Sequence, residues 1–125
     1  MASYAESLIY TFKSAGAIPA NVFVKLTANT EEVALCTVAG EKAIGVTVNA
    51  TTAAGQLVEV VVHGGAKILL AEVAGPMKFL SPIATTGRGQ LANAGDFSLA
   101  QVASGGIIGD VVSCFVRPVN IIANE

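Results

Sequence analysis

Ala53-Ala54-Gly55-Gln56-Leu57-Val58-Glu59-Val60-Val61-Val62 and Ile107-Ile108-Gly109-Asp110-Val111-Val112-Ser113-Cys114-Phe115-Val116 align without a gap. Each block runs apolar, apolar, glycine, polar, and then continues as a strand-like segment rich in valine. Glycine punctuates a turn, and β-branched side chains suit the pleated surface that follows it. Two copies of one turn-plus-strand block in 125 residues point to an internal duplication, and a duplication constrains the fold more than any single motif does.

Further pairs extend the match upstream. Ala43-Ile44-Gly45-Val46-Thr47-Val48 is similar in pattern to Ser98-Leu99-Ala100-Gln101-Val102, and Gly40-Glu41 precedes the first as Gly95-Asp96 precedes the second. Phe23-Val24-Lys25-Leu26 pairs with Phe79-Leu80-Ser81-Pro82, with Pro19 and Pro76 a few residues earlier, and Ala15-Gly16 corresponds to Ala74-Gly75. Residues 9–63, in round terms, repeat as residues 68–117. The expected organisation is an N-terminal arm over 1–8, a single β domain over 9–118 holding both repeats, and a C-terminal tail over 119–125.

Short runs of Val, Ile, Thr and Phe predict strands over 8–13, 22–27, 32–38, 43–49 and 56–63, then 66–72, 78–83, 90–93, 97–103 and 111–117. Ala15-Gly16, Ala28-Asn29, Ala39-Gly40 and Ala54-Gly55 supply turns in the first set. Strands recurring about every ten residues with glycine-rich turns indicate an all-β fold, a compact barrel or sandwich built from two duplicated β units. The run 68–74 is the one stretch also compatible with a short helix.

Side chains alternate between the two faces of a strand. Val58, Val60 and Val62 share one wholly apolar face, as do Val112, Cys114 and Val116, and these are expected to point into the core. The other face mixes Leu57, Glu59 and Val61 in the first copy and Val111, Ser113 and Phe115 in the second. That mixture suits a face partly covered by a neighbour, so Leu57, Val61, Val111 and Phe115 are candidate interface residues.

Charge supports the same reading. Only 13% of residues are charged and 53% are hydrophobic, against about 25% charged in an average domain. Such a chain cannot cover its surface with charge, and some apolar area is expected to be buried against another protein. The net charge is −2 and the seven basic residues are scattered, so no basic face for nucleic acid is expected. Residues 1–10 lack the basic start of a secretory signal, and no apolar run reaches the length of a membrane helix. Synthesis in the cytoplasm without membrane insertion is expected. Cys36 and Cys114 lie far apart in strand-like runs and read as buried thiols in a reducing compartment, with a disulfide as the alternative.

Catalytic chemistry finds little to work with. The single histidine, His63, precedes Gly64-Gly65 and reads as a strand-end residue. Two cysteines and one histidine offer no zinc spacing. Neither a nucleophile elbow nor a phosphate-binding loop occurs. Gly87-Arg88-Gly89 has the composition of an anion cradle but reads first as a hairpin tip. Glu31 and Glu32 are adjacent, so on a strand they would point to opposite faces and could not chelate together. No catalytic residue, no cofactor and no metal site is expected, and the chain reads as a protein that is not an enzyme.

The phrase running from Ala43-Ile44-Gly45-Val46-Thr47-Val48 through Gly55-Gln56-Leu57-Val58-Glu59-Val60 resembles the capsid cement, or decoration, family of tailed bacteriophages. Phe23-Val24-Lys25-Leu26-Thr27, Gly87-Arg88-Gly89-Gln90-Leu91 and Ile108-Gly109-Asp110-Val111-Val112 extend the resemblance over residues 15–118 or so. It implies a β-rich structural protein without catalysis, oligomeric on the outer surface of the virion, whose partner is the major capsid protein. The homotrimer, favoured over a dimer, follows from the resemblance and not from the residues. The alternative is a non-catalytic β-barrel binding module or a fibre-base protein of a phage particle. A sugar-binding module normally offers aromatic platforms, whereas Trp is absent and both tyrosines, Tyr4 and Tyr10, lie near the N-terminus. A small hydrolase or isomerase stands third. Residues 1–7 have no counterpart in the family pattern, and Tyr4 is the candidate anchor of an arm reaching to a neighbour.

Overall fold

The computed structural model describes residues 7–92, 97–103 and 105–120. Nine strands follow one another: β1 (Leu8–Ser14), β2 (Phe23–Leu26), β3 (Glu32–Leu35), β4 (Gly45–Thr47), β5 (Leu57–Leu69), β6 (Phe79–Pro82), β7 (Gly89–Leu91), β8 (Phe97–Val102) and β9 (Val111–Asn120). No helix occurs among the described residues. In the run that suggested one, Ile68 and Leu70 are buried with half-buried Leu69 between them. That two-residue period belongs to extended chain: β5 ends at Leu69, and isolated bridges at Leu70 and Ala74 continue the pairing.

The first five strands pair in the order β1-β3-β2-β4-β5, and β5 returns to β1, closing a five-stranded barrel. β1 runs parallel to β3, with Lys13 beside Glu32, and antiparallel to β5, with Phe12 beside Val58. The second half of the chain repeats the scheme. Gly64–Leu69 of β5 pairs antiparallel with β9, β9 with β8, β8 with β6, and β6 with β7. A parallel bridge from Leu70 to Gly89 joins the two ends of this second set.

The repetition reaches individual hydrogen bonds. Ser14 N–H donates to Gln56 C=O at 2.8 Å, and Leu70 N–H to Asp110 C=O at 2.9 Å. Ala15 N–H donates to Val33 C=O and Ala71 N–H to Gly89 C=O, both at 2.8 Å. Bridges join Ile18 to Thr51 and Ala74 to Gly106. Asn21 and Met77, both non-glycine, adopt left-handed φ values of 63° and 64°. Val24 pairs with Leu35 and Gly45 as Leu80 pairs with Leu91 and Ala100. One expected correspondence shifts: the counterpart of Ala15 is Ala71, and Ala74 instead stands where Ile18 stands. Backbone pairing sets this register, and small residues in loops carry too little information to fix it.

β5 is the hinge of the arrangement. Two separate strands, 56–63 and 66–72, were expected, with His63 at a strand end. Instead β5 passes through His63-Gly64-Gly65 without a break, its first half serving the first unit and its second half the other. Gly64 sits at the change of partner with φ 99°, a conformation that L side chains disfavour. His63 is exposed in mid-strand.

Burial follows the predicted alternation. Val58 and Val60 are sealed inside the first barrel with Ile18, Val22, Val24 and Val33, and half-buried Val62 packs against them. Cys114 and Val116 lie in a second cluster with Ile68, Leu70, Leu80 and Val102, and Val112 packs on it. Phe23, Val46 and Val61 belong to this second cluster too, although they alternate with the inward residues of the first barrel. The core of the second unit is therefore continuous with the seam between the units.

Candidate functional site

The surfaces with something to bind are those at the seam and its counterpart. Phe23, Val46 and Val61 form a cross-strand row over β2, β4 and β5. The row faces outward from the first barrel, yet all three side chains are buried. The loop between β6 and β7 helps to cover it: Phe23 N–H donates to Gly87 C=O at 2.8 Å, Gly40 N–H to Pro82 C=O at 3.0 Å and Thr85 N–H to Thr37 C=O at 2.9 Å. Gly87 is buried here with φ 69°. A Cβ on it would lie 3.0 Å from Phe23 C=O and 3.1 Å from Cys36 C=O. Gly87-Arg88-Gly89 thus ends a hairpin loop, as its composition suggested, but the loop is packed into the seam and not free at a tip.

Val61 is corrected by this geometry. It is 4% exposed and cannot serve an external partner. Its outer face does need a cover, and the second unit of the same chain provides it. The other described candidates remain outside: Leu57, Val111 and Phe115 are 64%, 47% and 48% exposed. Leu57 and Val111 begin β5 and β9 at matching places, opposite Lys13 and Leu69. Phe115 ends a second cross-strand row, Phe79-Gln101-Phe115, the counterpart of Phe23-Val46-Val61. Tyr4, with the arm expected over 1–8, falls outside the described residues except for Ser7 and Leu8, as do residues 121–125 of the expected tail.

Grooves lie beside both rows. One of about 450 Å³ is lined by Asn21, Thr47, Val61 and Ala66 among others. One of about 350 Å³ is lined by Met77, Gln101, Phe115 and His63. Gln101 is oriented by its Nε2, which donates to Met77 C=O at 3.0 Å. Met77 is 52% exposed and was missed in the sequence because it sits in a turn. Its pairing with Asn21 in the repeat was the available signal. Leu26, also exposed, was missed although the repeat pairs it with Pro82, because the pairing does not tell which of two matched residues is left outside.

One ion pair stiffens the seam. Lys25 Nζ lies 2.6 Å from Glu41 Oε2, and Glu41 Oε1 accepts from the N–H groups of Thr37 and Val38, each at 3.2 Å. Burial alone would raise the Glu41 pKa, but Lys25 and these two N–H donors together hold it below the usual value. Glu32, beside the turn, is held below its usual value by hydrogen bonds from Thr27 and Asn29. Burial pushes both Cys36 and Cys114 up to about 12, with the Glu41 carboxylate adding to the effect at Cys36. Both are free thiols. Among the described residues no group of three or more His, Cys, Asp or Glu is placed to hold a metal ion, and no buried side-chain nitrogen or oxygen lacks a hydrogen-bond partner.

No family model matches the chain and no curated protein matches its sequence. A solved structure does: the N base of the head fibre protein gp8.5 of bacteriophage phi29, with a TM-score of 0.70 at 10% sequence identity, covering 89% of this chain and 94% of that one. The likeness spans nearly the whole of both chains, so the two share their fold.

Proposed function

We propose that this chain is a structural virion protein that binds the outer surface of an assembled phage capsid and stabilises it, with the major capsid protein as its partner. The observation that carries the reading is the near-complete fold match to a phage head-fibre base. It agrees with the resemblance of the sequence to the capsid cement family and with a surface short of charge that leaves Leu57, Val111 and Phe115 open. The protein acts by binding and not by catalysis, and it assembles as a homo-oligomer, with a trimer favoured over a dimer. It needs no cofactor and binds neither nucleic acid nor membrane.

Stabilisation by a cement is mass action. A ligand that binds the assembled shell and not its parts adds about 2.7 kcal/mol when present at a hundred times its dissociation constant. The test is calorimetry of capsids lacking the protein, with and without it added back. The shell transition should move to higher temperature in a dose-dependent and saturable way, and an unmoved transition at saturating protein would refute the reading.

A second reading has support of its own, because the matched structure is described as the base of a head fibre. In that case the chain seats a projecting fibre on the capsid. Electron microscopy of decorated capsids separates the two: low knobs support the cement, and fibres rising from each site support the base.

A further inference from the structure

β1 keeps one of its two edges open over most of its length. Successive backbone groups of a strand point to opposite sides. Ser14 N–H donates to Gln56 C=O, toward β5, while Lys13 N–H donates to Glu31 C=O and Ala15 N–H to Val33 C=O, toward β3. The N–H and C=O groups of Tyr10 and Phe12 therefore point at β5, in register with Val60 and Val58, and those of Ile9 and Thr11 point the other way. On that side β3 pairs with Lys13 and Ser14 only, so among the described residues no strand reaches Ile9 or Thr11. Exposure agrees. Leu8, Ile9 and Tyr10 are 47%, 45% and 53% exposed, and Thr11 is exposed too. Four consecutive exposed residues depart from the alternation of a strand with one covered face. The barrel does not demand these residue types. In the second unit the same places fall on Gly64-Gly65-Ala66-Lys67 of β5, where Leu69, the match of Lys13, donates its N–H to Asn21 C=O of the first unit at 2.8 Å. Lysine, other charges and proline are the usual guards of an open edge. Lys67 is such a guard, whereas Leu8-Ile9-Tyr10-Thr11-Phe12 contains none. An apolar, unguarded edge is a template for another strand.

We propose that a second copy of this chain covers this edge, β1 pairing with β1 antiparallel about a two-fold axis at Tyr10. The edge is its own complement in that register. Ile9 and Thr11 of one copy stand opposite Thr11 and Ile9 of the other, and each pair exchanges two N–H···O=C bonds. The outward groups of both residues are then used in both copies. Tyr10 meets Tyr10 and Leu8 meets Phe12, so no charge stands opposite another. An axis at Thr11 would call on Lys13, whose N–H is already given to Glu31 C=O. On the outer face Ile9 continues the buried row Phe23-Val46-Val61, and the partner's Thr11 lengthens it by one more strand. The contact is isologous, so it makes pairs and not rings. It is separate from the three-fold association favoured above, and trimers are joined to one another through it. It rests on the strand and not on the capsid reading.

Disulfide trapping of the purified chain tests the register. The native thiols, Cys36 and Cys114, are buried. Tyr10 and its copy form a non-hydrogen-bonded pair, with Cα atoms about 4.5 Å apart, inside the span of a disulfide. Tyr10→Cys should therefore convert to a covalent pair of chains under mild oxidation. Thr11→Cys, whose own copy stands diagonally across the axis, should stay reduced. A charge swap read by sedimentation tests the same contact without a new thiol, with circular dichroism as the check on folding. Tyr10→Lys and Tyr10→Glu should each weaken association about tenfold or more, because like charges meet on the axis. An equal mixture of the two should regain it. The proposal is overturned if the wild type stays monomeric at millimolar concentration or if Tyr10→Cys does not link. It is equally overturned if Thr11→Cys links as readily, if Tyr10→Lys associates like the wild type, or if the mixture regains nothing. Capsid binding is scored separately. A chain that pairs as described but ignores capsids would overturn the decoration reading alone, and one that decorates capsids while Tyr10→Cys stays unlinked would overturn the edge contact alone.

Discussion

Glu41 shows how one carboxylate secures a seam. It pairs with Lys25 and accepts two backbone N–H groups from the segment whose Thr37 C=O and Gly40 N–H bond the second unit. Its pKa is lower folded than free, so its contribution is present above the ordinary glutamate value of 4.5 and fades as pH falls through the lowered value. Denaturation at pH 7 and pH 3 should show Glu41→Gln costing about 0.5 kcal/mol at neutral pH, the scale of a partly exposed pair, and less at pH 3. An equal cost at both would mean the carboxylate acts through shape alone. The thiols make the opposite case. Cys36 and Cys114 are raised to about 12, so their burial favours the fold fully below about pH 9 and this is lost as pH rises toward 12. Neither should react with a thiol reagent at pH 8 until the chain is unfolded in denaturant, when both should react at once. Reaction of either in the native protein would contradict their placement.

Among the strands, β5 is the one that joins the two units. A thirteen-residue strand gives one half to each unit, and Gly64 adopts a positive φ where the partner changes. Gly64→Ala should destabilise by about 1–2 kcal/mol from the left-handed backbone alone, seen as a lower denaturant midpoint. An unchanged midpoint would mean that the switch tolerates an ordinary residue. Phe23→Ala should cost about 3–5 kcal/mol as a fully buried aromatic and should expose the hydrophobic seam to dye binding. The strands themselves were legible because Val58, Cys114 and Val116 alternate with polar or exposed neighbours and because valine dominates the run around Val60. The fusion at His63-Gly64-Gly65 was not, because two glycines in a row read as a turn wherever the chain is free to bend. Only the pairing with β9, distant in sequence, holds them extended. Val61 was misplaced for a related reason. Alternation tells which residues leave the barrel but not what lies outside it, and here the second unit lies outside.

For the whole molecule, the duplication was legible from the ungapped match at 53–62 and 107–116, since identical pairing schemes need similar turn and strand chemistry. How the two units face each other was not legible, because the loop of residues 83–88 packs through backbone carbonyls that any sequence possesses. The surface that results is poor in charge, with 13% charged residues in the chain. Attachment to the capsid should therefore survive a rise from about 0.1 M to 1 M salt, which shortens the screening length from about 10 Å to 3 Å. Complete release under those conditions would mean that charge and not apolar contact holds it.

Attachment to an assembled shell is read by co-sedimentation. Purified protein is mixed with expanded capsids that lack it and, separately, with unassembled major capsid protein at the same subunit concentration. Binding to capsids should be saturable at a fixed number of chains per shell, and far weaker to the free subunits. Equal affinity for both, or no binding to capsids at any concentration, would contradict such attachment.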